Sequence, residues 1–170
     1  MLHAVDDLLV EVGYTAMTIK GIAERAGVGR QTVYRWWSTK AEILSEAVSY
    51  GAPQELRIAS TGSPERDLTT YLDALLRFLT VSETGTAYRA LLGEAQHDPA
   101  VAALVAELDP VTASARDAVV CALPGIREED LGAAVVLLVG PVVFGVLSGQ
   151  PVATPNRHAA TVLAVFGTSK

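Results

Sequence analysis

The sequence predicts an all-α chain of about nine helices, a small three-helix head followed by a larger helical body. Three observations carry that expectation. Apolar residues recur every three or four positions through most of the chain, and no alternating run of useful strand length competes with them. Helix starts and stops are marked by Ser, Thr, Asp, Pro and Gly between the periodic segments. Half of the 170 residues are apolar, enough for a real core.

Leu2, Val5, Leu9 and Val12 form the inward stripe of a first helix that stops at Gly13. Thr18 caps a second helix, which buries Ile19, Ile22, Ala23 and Ala26 and ends where Gly27 supplies a left-handed residue. A third helix runs from about Gly29 to Trp37. Val33 and Trp37 lie four apart on its inward side, and Arg30, Gln31, Tyr34 and Arg35 gather on the opposite side. Thr39 and Glu42 make a capping box for a fourth helix that buries Ile43, Leu44, Ala47 and Val48. Lys40 sits in its first turn, where its charge and nearby backbone N–H groups can face a phosphate.

Gly51, Pro53, Ser60, Gly62 and Ser63 interrupt the pattern, so residues 51–63 read as a linker or as the tail of the fourth helix. A domain boundary is expected there, between residues 1–50 and 51–170. Residues 1–50 carry five basic and six acidic groups, net −1; residues 51–170 carry eight and thirteen, net −5. Ser63-Pro64-Glu65 opens the next helix, striped by Leu68, Leu72, Leu75 and Leu79. A shorter helix near 86–96 turns Tyr88, Leu91, Leu92 and Ala95 inward. Asp98-Pro99 starts another, which buries Val101, Leu104, Val105 and Leu108, is kinked or split by Pro110, and resumes through Val111, Ala115, Ala118, Val119 and Ala122. Residues 127–149 form a helix apolar on nearly all sides. Thr154-Pro155 opens the last helix, with Val162, Val165 and Phe166 on one side.

No charge occurs between Asp130 and Arg157, and Leu131–Leu147 approaches the length of a membrane span. The acidic entry at Glu128, Glu129 and Asp130, the lack of flanking Lys or Arg, and Pro141 argue against a membrane helix. A buried strand pair would have no neighbours in a helical chain. A helix apolar all round must be covered by its own domain or by a second copy, which points to a homodimer. No charged segment leading into an apolar one opens the sequence, so the chain is expected in the cytoplasm.

Cys121 stands alone, which excludes an intramolecular disulfide framework and a cysteine-based zinc finger; in its AVVCAL setting it reads as a buried small hydrophobe. His3, His97 and His158 lie in three different segments. With no nucleophile beside a base, no carboxylate pair and no metal-ligand spacing, neither an enzyme nor a cofactor is expected. The stretch that carries chemistry is Thr18–Lys40. It holds five of the thirteen basic residues, Lys20, Arg25, Arg30, Arg35 and Lys40, against the single acid Glu24, in a chain of pI ≈ 5.0. A helix, a glycine turn and a second helix that presents Arg and Gln to base edges is a helix-turn-helix.

The run GY-x3-T-x3-IAERAGV-x3-TVYRWW-x2-K, from Gly13 to Lys40, resembles the N-terminal domain of TetR-type transcriptional repressors, over about residues 2–50. The resemblance implies that Thr18, Lys20, Arg30, Gln31, Thr32, Tyr34, Trp36 and Lys40 face operator DNA. Gly29 and Arg35 join them from their places on the reading helix, and Trp37 falls where the family has a core aromatic. Family members usually carry a basic arm ahead of the first helix; this sequence opens almost at that helix, so reading is expected to fall on Lys20, Arg30, Gln31, Tyr34 and Arg35.

The same resemblance implies a C-terminal ligand-binding and dimerisation domain. Its last two helices, 127–149 and 154–168, would form a four-helix interface with a partner. Leu137, Val139, Val142, Phe144, Leu147, Val162, Val165 and Phe166 are then interface residues, or else the monomer's own core. Tyr71, Tyr88, Gln96 and His97, with Phe78, are candidate contacts to a ligand in an apolar chamber of helices 64–82, 86–97 and 100–123, or else ordinary boundary residues. The expected function is a homodimeric repressor that binds a palindromic double-stranded operator and is released by a small apolar effector. The alternative is a helical ligand-binding or scaffolding protein that no longer reads DNA.

Overall fold

The computed structural model describes residues 2–167, without the side chains of Leu2, His3 and Asp6. Its described residues form ten α-helices and no strand: α1 (Leu2–Ala16), α2 (Ile19–Arg25), α3 (Arg30–Tyr34), α4 (Lys40–Glu55), α5 (Pro64–Thr80), α6 (Glu83–Glu94), α7 (Pro99–Leu108), α8 (Pro110–Ala122), α9 (Glu128–Ser148) and α10 (Pro155–Phe166). Pro110 splits the helix it was expected to kink or split, and that split takes the expected nine to ten. The chain divides into two compact units, one of residues up to Ala52 with Val81–Leu108, the other of Pro53–Thr80 with Asp109 onward.

In the first unit α1 packs on α2 and α6, α2 on α3, and α6 on α7. Val5 and Leu9 are buried as their spacing requires, while the side chain of Leu2 lies outside the described residues. Val12, expected inward, is 43% exposed. The helical path breaks one residue later: Gly13 has φ 74 and ψ 166, a conformation open essentially to glycine alone, and Met17 beyond the break is buried instead. Arg25 ties α2 to α1 through Glu11 and, at 3.9 Å, Asp7, and the Glu11 hydrogen bond raises its pKa further. Gly27, at φ 67, turns the chain from α2 into α3.

The third helix is shorter than its spacing suggests, a single five-residue helix, with Arg35 and Trp36 in the turn that follows. Conversely, α4 runs through Gly51 and Pro53 to Glu55, past the expected break. Proline removes only one ladder donor, and Ala52 is wholly buried beside it. Gly51 is required for another reason. A Cβ there would lie 2.6 Å from Thr84 Oγ1, so this approach of α4 to the start of α6 depends on the missing side chain.

The second unit is a bundle in which α5 packs on α8, α9 and α10, α8 on α9, and α9 on α10. Asp67 is buried at its edge, where its carboxylate accepts from the Thr61 hydroxyl (2.6 Å), the Thr61 N–H (2.8 Å) and the Ser60 hydroxyl (2.9 Å). Those donors, the Thr61 hydroxyl first, outweigh burial and hold the carboxyl below its ordinary range.

By length and composition α9 could cross a membrane, yet α5, α8 and α10 cover one side of it. Pro141 inside it has no N–H to give the carbonyl of Leu137, one turn back. His158 of α10 fills that gap, its Nε2–H lying 3.0 Å from both Leu137 O and Leu138 O. The buried histidine therefore ties the last two helices together at the point where the α9 ladder is interrupted. Cys121, expected to be buried, is exposed on α8, where Ala118, Val119 and Ala122 take the inward positions.

Candidate nucleic-acid interface

The helix-turn-helix is built from α2 and α3 around buried Ile22, Ala23 and Val33. Thr18 caps α2 by accepting from Gly21 N–H at 3.1 Å, which leaves Lys20 and Glu24 to pair across one turn at 3.6 Å on the exposed side. Gly29 precedes α3 in extended conformation, and its carbonyl takes the Thr32 N–H at 2.9 Å. Arg30, Gln31, Thr32, Tyr34, Arg35 and Trp36 are all exposed, Tyr34 by 56% and Trp36 by 68%. Among the described residues the side chains of Arg30, Gln31, Thr32 and Tyr34 make no hydrogen bond. The Arg35 guanidinium lies 5.8 Å from the Trp36 ring centre. Trp37 turns the other way, half-buried, its Nε1–H donating to Glu46 at 2.6 Å.

Lys40 departs from its expected setting. Its ammonium donates to the Tyr14 carbonyl at 2.6 Å and lies 4.0 Å from the centre of the Tyr14 ring, so it is engaged inside the first unit. Around it Thr39 accepts from Glu42 N–H at 3.1 Å, the Thr39 half of the capping box read from the sequence, while Glu42 reaches one residue further back and accepts from Ser38 N–H at 2.7 Å. Tyr14, Glu94 and Asp98 belong to this corner too. Burial first, then the charges of Glu94 and Asp98, push the Tyr14 phenol up to about 12. The pattern that could have exposed the grouping is weak, since Tyr14 and Lys40 stand 26 residues apart and nothing in their spacing links them to α6.

The candidate ligand contacts fall in both units. Tyr71 and Phe78 are buried along α5 in the second, where the Tyr71 hydroxyl lies 3.1 Å from Val111 O and 3.0 Å from Ser114 Oγ. Tyr88 is buried in the first unit. Gln96 and His97, at the end of α6, are exposed, and Gln96 donates back to Leu92 O at 3.3 Å.

The candidate interface residues divide as well. Val142 and Val162 are 3% and 0% exposed, so these two correct the expectation: the second unit's own core uses them, and they have no surface to offer a partner. Leu137, Val139 and Phe166 are half-buried, and Phe144, Leu147 and Val165 are exposed. Val136, not singled out by periodicity, is 67% exposed and falls with Gly140, Phe144 and Leu147 on one line of α9.

Residues 2–47 match the family of bacterial regulatory proteins called the tetR family, and residues 58–165 match the tetracyclin repressor-like C-terminal domain. The chain is 41% identical over 102 residues to an uncharacterized HTH-type transcriptional regulator, YdeS, of Bacillus subtilis (strain 168), an alignment covering 60% of this chain and 51% of that protein. It is 31% identical over 78 residues to the HTH-type transcriptional regulator AqdR of Rhodococcus erythropolis, covering 46% of this chain and 38% of AqdR. The chain spans about half the length of the curated relatives it matches. Among solved structures, SCO0332, a TetR family transcription regulator, superposes with a TM-score of 0.75 at 27% identity, over 96% of this chain and 93% of that one. The multidrug binding protein EbrR, complexed with imidazole, shares the fold at 15% identity, with a TM-score of 0.67 over 97% of this chain and 92% of its own. The glycine-turned helix pair and the two matched segments together show that this chain belongs to the tetR family of bacterial regulatory proteins, with its helix-turn-helix in the first segment.

Proposed function

We propose that the chain is a ligand-responsive repressor that binds a palindromic operator as a homodimer. The observation that carries the DNA side is the exposed Arg30, Gln31 and Tyr34, set on a rigid helix pair with no hydrogen-bond partner of their own among the described residues. Arg matches guanine O6 and N7, Gln matches adenine N6 and N7, and Tyr34 with Trp36 offers aromatic surface to sugar and base. Thr18, Lys20, Gly29, Thr32 and Arg35 flank them as backbone contacts. Lys40 joins these only after leaving Tyr14. The functional division is that of residues 1–50, which read DNA, and 51–170, which pair and bind the effector.

Dimerisation is supported by the exposed apolar line of α9, whose Val136, Phe144 and Leu147 lie in the same unit as exposed Val165 of α10. A two-fold pair presents two reading helices to half-sites about one DNA turn (~34 Å) or a multiple apart. A small apolar effector that favours a dimer with its heads wrongly spaced then releases the operator. A regulator of this kind works where the chromosome is, in the cytoplasm.

Titration of selected DNA tests the reading. Arg30→Ala should flatten preference among sequences, removing about 1–3 kcal/mol of discrimination at one position of each half-site. Lys20→Ala should weaken all sequences alike and lower the salt slope by about one. Unchanged affinity and unchanged preference in Arg30→Ala would remove α3 from the groove.

A further inference from the structure

We infer that the first unit carries a binding site for a small organic cation, in a cavity of about 380 Å³ where the end of α1, the start of α4, the end of α6 and α7 meet. Tyr14, Lys40, Glu94, Asp98, Val101 and Leu104 line it, and the volume lies within the range of sites that hold small molecules.

The wall chemistry selects the ligand. Val101, Leu104 and the Tyr14 ring supply apolar surface for an organic body. The helix N-termini that could attract an anion are already capped. Asp98 accepts from Ala100 and Val101 N–H at 2.8 and 3.4 Å at the start of α7, and Thr39 takes Glu42 N–H at the start of α4. The lining holds three carboxylates, Glu42, Glu94 and Asp98, against one ammonium, that of Lys40, which donates to the Tyr14 carbonyl while Glu42 accepts from Ser38 N–H. Glu94 is half-buried, and its carboxylate has no hydrogen-bond or ion-pair partner among the described residues.

The unit also holds an internal example of the recognition proposed: the Lys40 ammonium rests 4.0 Å over the Tyr14 ring. Burial first, then the charges of Glu94 and Asp98, raise the pKa of the Tyr14 hydroxyl, in keeping with the negative character of this lining. A ligand ammonium between Glu94 and Tyr14 would lessen the excess of negative charge in this lining and give Glu94 a partner. None of the effector contacts considered above, Tyr71, Phe78, Tyr88, Gln96 and His97, lines this cavity. Its occupancy is read on the free protein, so the outcome is independent of DNA binding.

The test uses the full chain, labelled with nitrogen-15, and benzyltrimethylammonium as the probe, with benzyl alcohol as a neutral counterpart and benzoate as an anionic one. The cation should shift the amide signals of Tyr14, Ala41, Asp98, Ala100 and Val101 in a saturable way while leaving Ala159 of α10 in place, and should bind at least about tenfold more tightly than either control. Glu94→Gln should weaken the cation about tenfold without changing thermal stability. The inference is overturned if no saturable shift appears at these amides up to about 10 mM probe, if benzoate binds as well as the cation, or if a stably folded Glu94→Gln binds as the parent does.

Discussion

The polar face of α3 and the apolar line on α9 and α10 are both left open by the described chain, and for opposite chemical reasons. Arg30, Gln31, Thr32 and Tyr34 present donors and acceptors with no hydrogen-bond partner among the described residues. Val136, Phe144, Leu147 and Val165 present hydrocarbon to solvent. An exposed polar group is already satisfied by water, so such a face waits for a partner with a matching hydrogen-bond pattern; an exposed apolar line is unfavourable in itself and is covered by whatever similar surface is available. The first set of residues is suited to selecting a sequence, the second to holding two copies together.

The largest expected effect comes from breaking the apolar side. Phe144→Arg puts a charge on the one aromatic of α9, which is exposed, and should raise the dimer dissociation constant by two orders of magnitude or more, about 3 kcal/mol. Sedimentation equilibrium would read this directly, and operator affinity should fall with it although no DNA-facing residue has changed. A dimer of undiminished strength would place the pairing surface elsewhere.

The supports beneath each face come next. His158→Ala leaves Leu137 O and Leu138 O without the imidazole donor beside Pro141, and should destabilise the fold by about 1–3 kcal/mol in urea titrations while weakening the dimer only secondarily. Under the other face, Gly27→Ala forces a side chain into a left-handed turn and should cost about 1–2 kcal/mol, with loss of operator binding at temperatures where the second unit remains folded. If Gly27→Ala melted as the parent does, the turn between α2 and α3 would have a different conformation.

The smallest effect tests neither face. The Asp67 carboxyl is held below its ordinary range by Thr61 and Ser60, so its contribution to stability is fully present above the unfolded-state pKa, near 3.9, and is lost as pH falls through the lower folded value. Asp67→Asn should therefore lower stability at neutral pH and flatten the acid limb of a stability profile, while leaving dimerisation and DNA preference unchanged. An unaltered acid limb would mean that the carboxylate has no such partners.

Much of this architecture was legible in local signals. Thr18, the Thr39–Glu42 box, Ser63-Pro64 and Thr154-Pro155 each lie at or next to a helix start, because capping depends on residues three or four apart. Gly27 turned the chain where expected for the same reason. The exposed positions of α3 could be named because α3 is short and its exposed side is continuous in sequence. What stayed hidden depends on contacts across the chain. Periodicity could not divide the apolar positions of α9 and α10 into those consumed by their own bundle, such as Val142 and Val162, and those left outside, such as Phe144 and Val136. Nor could it foresee that Lys40 would meet Tyr14, that His158 would complete a ladder broken at Pro141, or that Gly51 would admit Thr84. Each is a pairing at a separation of 17 residues or more, where sequence spacing carries no geometric information.

The two faces come together in one measurement, selection of bound sequences from a random double-stranded DNA library with the purified chain. The expected result is an inverted repeat whose half-site centres lie about one helical turn, or a multiple, apart, lost with Phe144→Arg and blurred within each half-site by Arg30→Ala. Enrichment of a single unpaired half-site, or of no sequence at all, would contradict a paired reader built on α3 and joined through α9 and α10.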